Sequence, residues 1–142
     1  MNFVSPLKLP DAFETGISSI DEEHKGLIAY LNDYLSSFKR ASVGEFEKAF
    51  LDIITEFEKH FAGEEKLMEE ACYDRLEEHA RHHRNILAEL HRLLESCRKR
   101  GTANTGDVIV FFQKIIDDVS KADLRFVDFL MSEDRLIEFK SR

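Results

Sequence analysis

Between residues 60 and 83 the chain reads HFAGEEKLMEEACYDRLEEHARHH, and two pairs of metal-ligand residue types stand out in it. His60 and Glu64 are four residues apart, and so are His79 and His83. On a helix four residues is just over one turn, so each pair projects from a single face. Imidazole nitrogen and carboxylate oxygen are donors that iron, manganese and zinc accept. In a chain that is 34% charged, the same residues could equally form a solvated surface. Their place in the apolar pattern of the surrounding helices separates the two readings.

Four amphipathic patterns run along the chain after a stretch, residues 1–17, that carries both prolines, Pro6 and Pro10. That stretch is expected to be an extended arm, with Phe3, Leu7, Leu9 and Phe13 lying against the helices. The first helix is expected from Ser18 or Ser19 to about Lys39, with Ile20, Leu27, Ile28, Leu31, Tyr34, Leu35 and Phe38 on its apolar face and His24 filling the gap after Ile20. The second opens at a capping box, Ser42 and Glu45. Its stripe runs Phe46, Phe50, Ile53, Ile54 and Phe57, then continues through His60, Phe61, Glu64, Leu67 and Met68. The third is expected from about Asp74 to just before Gly101, a residue suited to a left-handed cap. There His79 and His83 stand where the pattern asks for leucine, whereas His82 and His91 fall at a boundary or on another face. The fourth begins between Asn104 and Asp107 and carries Val108, Phe111, Phe112, Ile115, Ile116, Val119, Ala122, Phe126, Val127 and Leu130, with Asp123 on its inward edge. A short terminal helix is expected from Glu133 to Phe139.

The expected fold is all-α, one domain over 1–142: an antiparallel up-down-up-down four-helix bundle with an extended N-terminal arm and a short C-terminal helix. In that topology His24, His60, Glu64, His79, His83 and Asp123 fall at one level. Burying several acids and imidazoles without a countercharge would cost several kcal/mol each, on the order of a lost buried ion pair. One or two dications remove that cost. Four histidines and two acids exceed what one tetrahedral zinc needs and suit two metals sharing carboxylates.

Composition narrows the partners. The net charge is −8, and no basic stripe is available for phosphates, so nucleic acid is not expected. No apolar run approaches the length needed to span a bilayer. Cys72 and Cys97 fit neither a disulfide framework nor a zinc spacing and read as free thiols. The N-terminal residues lack the unbroken apolar run of a signal peptide, and a cytoplasmic location is expected. The oligomeric state is left open, a monomer being consistent with these features.

Taken in order, GISSIDEEHKGL (16–27), HFAGEEKLM (60–68), His79-x-x-x-His83 and Asp123 with Phe126 and Leu130 resemble the motifs of the hemerythrins, specifically the single-domain bacterial hemerythrins. The resemblance covers nearly the whole chain. It implies a non-haem di-iron centre with an oxo or hydroxo bridge that binds dioxygen reversibly, for storage, delivery or sensing. It further implies that His24 and His60 serve one iron, His79 and His83 the other, and that Glu64 and Asp123 bridge them. Dioxygen would bind the iron of His24 and His60, against an apolar wall for which Phe61, Ile115 and Ile28 are the candidates.

The chain departs from that family in two places. The fourth helix of the family usually reads H-x-x-x-x-D, but here Asp118 stands five residues before Asp123. Either Asp118 ligates the second iron directly, the reading preferred on sequence, or it turns to solvent and leaves a position for water. Both readings imply a shorter-lived adduct, and the carboxylate-richer set also admits manganese. The chain also has no tryptophan. Lys114 stands where the family carries one on the fourth helix, pointing outward or making the pocket more polar. The alternative function is a redox enzyme, a di-iron oxidase or peroxidase or one reacting with nitric oxide; the oxygen-binding protein is expected ahead of it.

Overall fold

A computed structural model describes residues 7–8, 13–37, 43–101 and 105–140. Its elements are α1 (Ser18–Ser37), α2 (Val43–Glu70), α3 (Leu76–Arg100), α4 (Thr105–Ser132) and the short α5 (Leu136–Phe139). The four long helices pack as the expected antiparallel bundle, α2 most extensively against α3, and α1 against both α2 and α4. The start of the first pattern at Ser18 holds. The third helix begins at Leu76, two residues later than the pattern suggested, and the last shrinks to one turn. The capping box at Ser42 and the arm residues Phe3 and Leu9 lie outside the described residues. No helix among the described residues is long and apolar enough to cross a membrane.

The helix ends explain these boundaries. After α2 the chain turns through Cys72, whose φ is 56°. There the Tyr73 amide donates to the Met68 carbonyl and the Cys72 amide to the Glu69 carbonyl, each at 3.0 Å. This is the double hydrogen bond of a Schellman motif, with a cysteine at the left-handed position usually held by glycine. The same pattern closes α4. Asp134 has φ 54°, and the amides of Asp134 and Arg135 donate to Met131 and Leu130. The expected Gly101 cap is present at φ 68°, its amide on the Arg98 carbonyl.

The core is divided. One apolar cluster, built around Phe50, Phe57, Leu90, Phe112 and Leu31, fills the longer part of the bundle. A second, with Ile17, Ile20, Met68, Tyr73, Phe126 and Phe139, fills the other end beneath α5. That end is tied down by the Ser18 amide on the Lys140 carbonyl and by Arg135 donating to the Ala71 carbonyl at 2.8 Å. Of the arm, Leu7 is buried, and its backbone exchanges two hydrogen bonds with the Asn32 side chain. Between the two clusters lies a layer of polar side chains.

Candidate metal centre

Each helix supplies that layer from the seam of its apolar stripe. His24 follows Ile20 on α1; His60 and Glu64 lie between Phe57 and Met68 on α2. His79 and His83 precede Ile86 on α3, and Asp123 lies between Val119 and Phe126 on α4. All six are buried, Glu64 and Asp123 to within 1% of complete. The antiparallel path brings the start of α1 and α3 to the same level as the ends of α2 and α4. Their donor atoms gather into two groups, His24–His60–Glu64–Asp123 and His79–His83–Glu64–Asp123, each spanning no more than 4.8 Å.

Both carboxylates divide their oxygens between the two histidine pairs. Glu64 turns Oε2 towards His60 Nε2 at 3.4 Å and His24 Nε2 at 3.9 Å. Its Oε1 lies 2.7 Å from His79 Nε2 and 3.2 Å from His83 Nε2. Asp123 does the same, with Oδ2 2.7 Å from His24 Nε2 and Oδ1 3.3 Å from His79 Nε2. Several of these atoms have no aligned hydrogen-bond partner despite complete burial: Nε2 of His24, His60 and His83, Glu64 Oε2, and both oxygens of Asp123. A buried polar atom left so costs about 1–3 kcal/mol. Two imidazole nitrogens and two carboxylate oxygens in each group are a set of donors that could hold a cation.

The histidines are oriented from behind. Glu23 accepts a hydrogen bond from His60 Nδ1, and Glu65 accepts one from His83 Nδ1, both at 2.8 Å. A carboxylate on Nδ1 fixes the proton there and leaves Nε2 to face a metal. The Phe61 ring stacks on His83 at 3.9 Å between centroids and 7° between planes, fixing its plane. Glu23 and Glu65 were not among the residues singled out by sequence. Their only signal is adjacency, in the pairs Glu23-His24 and Glu64-Glu65, and each serves a histidine on a different helix from its own.

Electrostatics follows the geometry. Burial opposes protonation of His60, but the Glu23 and Glu64 carboxylates outweigh it and push it up to about 10. Burial also opposes the charge on His79, and Asp123 and Glu64 again raise it. His24 is lowered by burial and by the neighbouring His60. Burial and the Glu64 charge lift Asp123 well above the carboxylate range, whereas Glu64, against the effect of its burial, is held well below it by the neighbouring Asp123 and by His60, His79 and His83. The two acids thus divide one proton unevenly when no cation is near.

Asp118 stands apart from both groups. It is half-buried, and its charge is felt at His82. Lys114 is exposed. Of the three wall candidates, Ile28 borders a cavity of about 10 Å³ beside His24, together with Leu27, Phe57, Ile116 and Val119. Ile115 is buried one position away in the core, and Phe61 is occupied by His83.

Residues 15–128 match the family model described as the hemerythrin HHE cation binding domain, a span that includes every residue of the layer. The chain belongs to the hemerythrin family. A relative within it, named bacteriohemerythrin, from Stenotrophomonas maltophilia (strain R551-3), is 40% identical over 76 residues. That match covers 51% of this chain and 48% of the relative, so the chain spans about half the length of this curated hemerythrin. No solved structure matches the chain.

Proposed function

We propose that this hemerythrin-family chain holds two iron ions in the buried layer and binds dioxygen reversibly. The carrying observation is the division of Glu64 and Asp123 oxygens between the His24–His60 and His79–His83 pairs. The residues fit the group: each metal would receive two imidazole nitrogens and two carboxylate oxygens, four protein donors that leave positions for small ligands. Two irons held there would, when both are ferrous, supply the two electrons for taking up dioxygen. Manganese remains the other metal this oxygen-rich set suits.

The chain's own residues supply the rest. Glu23 and Glu65 keep protons on the remote ring nitrogens and the metal-facing nitrogens free. Leu27, Ile28, Phe57, Ile116 and Val119 hold a narrow apolar space at His24, which admits a small neutral molecule and excludes bulk water. The half-burial of Asp118 and its place outside both donor groups support the reading in which it stays out of the ligand set and leaves a coordination position to water. A cytoplasmic protein storing, delivering or sensing dioxygen is the role we infer.

A second reading, a redox enzyme of the oxidase, peroxidase or nitric-oxide-reactive type, is favoured by a cleft of about 130 Å³ that reaches His79 between α3 and α4, wider than the space at His24. One experiment separates them. Iron analysis should give two per chain, and air admitted to the anaerobic reduced protein should produce a visible band that vanishes on deoxygenation. Two irons with immediate, irreversible oxidation would reject the carrier and favour the enzyme.

A further inference from the structure

The seam between α1 and α2 opens to solvent on both sides of Glu23. On one side a groove of about 370 Å³ runs past Gly26, Tyr30, Glu56 and Lys59 to His60. On the other a groove of about 230 Å³ runs past Gly63, Lys66 and Glu70 to Glu64. Glycine stands in the helix interior at both places, where it costs roughly 0.5–1 kcal/mol against alanine. Packing requires it at neither. A Cβ at Gly26 would meet nothing within 4 Å, and one at Gly63 would come no nearer than 3.8 Å to Glu23 Oε1, an ordinary contact. What the two glycines supply is the open width of the grooves. The candidate ligand that each groove reaches is almost wholly buried and carries an atom without a hydrogen-bond partner, Nε2 of His60 and Oε2 of Glu64.

We propose that divalent cations reach the buried layer through these two grooves, passing Glu23 on the way to His60 and Glu64. The inference rests on the two-metal reading above and adds the route by which that centre is filled and emptied. Charge favours this seam. With Lys59 engaged by Glu56 at 3.7 Å, its walls carry Glu23, Glu64 and Glu70 against Lys66. The cleft at His79 offers the reverse, Arg75 and Arg125 against Glu78, and would repel a dication at its mouth. The space at His24 is about 10 Å³, and its walls are apolar apart from that ring and a serine, so a cation there would shed its water without compensation. Size agrees as well. An octahedral shell of six waters occupies roughly 180 Å³, which is less than either groove. Glu23 stands where the two grooves meet, its side chain 51% exposed and its Oε2 2.8 Å from His60 Nδ1. An entering ion thus meets a carboxylate while still hydrated, and the ligand residues immediately behind it.

The test follows zinc into the metal-free full chain by stopped flow and, after loading, out of it to an excess of chelator. Gly26→Leu/Gly63→Leu fills both grooves. Gly26→Ala/Gly63→Ala gives a similar gain in helix propensity while leaving them largely open. The leucine variant should slow entry and exit by the same factor, about tenfold, because an obstruction raises the barrier and touches neither end state. Its zinc affinity should equal that of the wild type, and the alanine variant should keep wild-type rates. Glu56→Gln/Glu70→Gln removes charge without filling space; it should slow entry and make it less sensitive to added salt. Wild-type entry rates in both the leucine and the glutamine variants would overturn the proposal. So would equal slowing in the alanine and leucine variants, which would assign the rate to helix stiffness. Fewer than two zinc ions per wild-type chain at saturation would overturn the two-metal reading with it; two zinc ions entering the leucine variant at the wild-type rate would overturn this proposal alone.

Discussion

Glu23 and Glu65 each accept a hydrogen bond from the Nδ1 of one histidine, His60 and His83, a contact that favours the proton on Nδ1 and leaves Nε2 facing inward. Removing either charge without changing shape tests this. Glu65→Gln and Glu23→Gln should each weaken metal binding about 10–100-fold, read by competition with a chelator. Unchanged affinity would mean the rings are held by packing alone, as the Phe61 stack on His83 could do by itself. Asp118 makes a sharper residue-scale test. Asp118→Ala should leave two metals per chain, because the carboxylate lies outside both ligand groups. Loss of one metal would show that it ligates after all. Asp118→His, which restores an imidazole at that place, should lengthen the life of the dioxygen adduct.

The six buried candidate ligands were legible as elements before any were legible as a site. His24, His60, Glu64, His79, His83 and Asp123 occupy core positions of four helical stripes, and a topology with short turns leaves few ways to arrange those stripes. What the pattern could not convey is contact between helices at one-residue resolution. Ile115 and Ile116 are both buried, and only the rotation of α4 about its axis decides that Ile116 borders the cavity at His24. Similarly, Glu65 is a surface acid on α2 by its stripe and a partner of α3 by geometry. The α2–α3 turn was also hidden, because Cys72 carries the left-handed conformation that glycine would have announced. That substitution is strained. A non-glycine residue there costs about 1–2 kcal/mol, part of which glycine would lose again through the unfolded chain. Cys72 is exposed, so Cys72→Gly should stabilise the metal-free protein by about 1 kcal/mol, roughly 2–4 °C in Tm. Asp134→Gly at the equivalent place after α4 should gain less, since aspartate tolerates this conformation better. Equal or reversed gains would place the strain elsewhere.

On the scale of the molecule, the ligand layer separates two apolar clusters that the helices must hold in register. Without cations, protons take part of their place in the layer. His60 is pushed up to about 10 by Glu23 and Glu64 against the effect of burial, and Asp123 is raised by burial and by the Glu64 charge. Glu64 is held low and has no proton to give. A metal ion therefore competes with a proton at His60, and the sign follows: the proton is bound below about 10, so metal affinity must rise with pH across the range from 6.5 towards 10. Zinc titrated into the metal-free chain near neutrality in weak buffer should release at least one proton per chain, read with a pH indicator, and zinc affinity should be higher at pH 8 than at pH 6.5. Metal should also stabilise the fold, because the unfolded chain cannot present four helices' ligands at once; at free zinc a hundredfold above the dissociation constant the gain is about 2.7 kcal/mol per site. Zinc binding that releases no protons and leaves Tm unchanged would mean that the ion sits on the acidic surface, and that the two clusters are held in register by the helices alone.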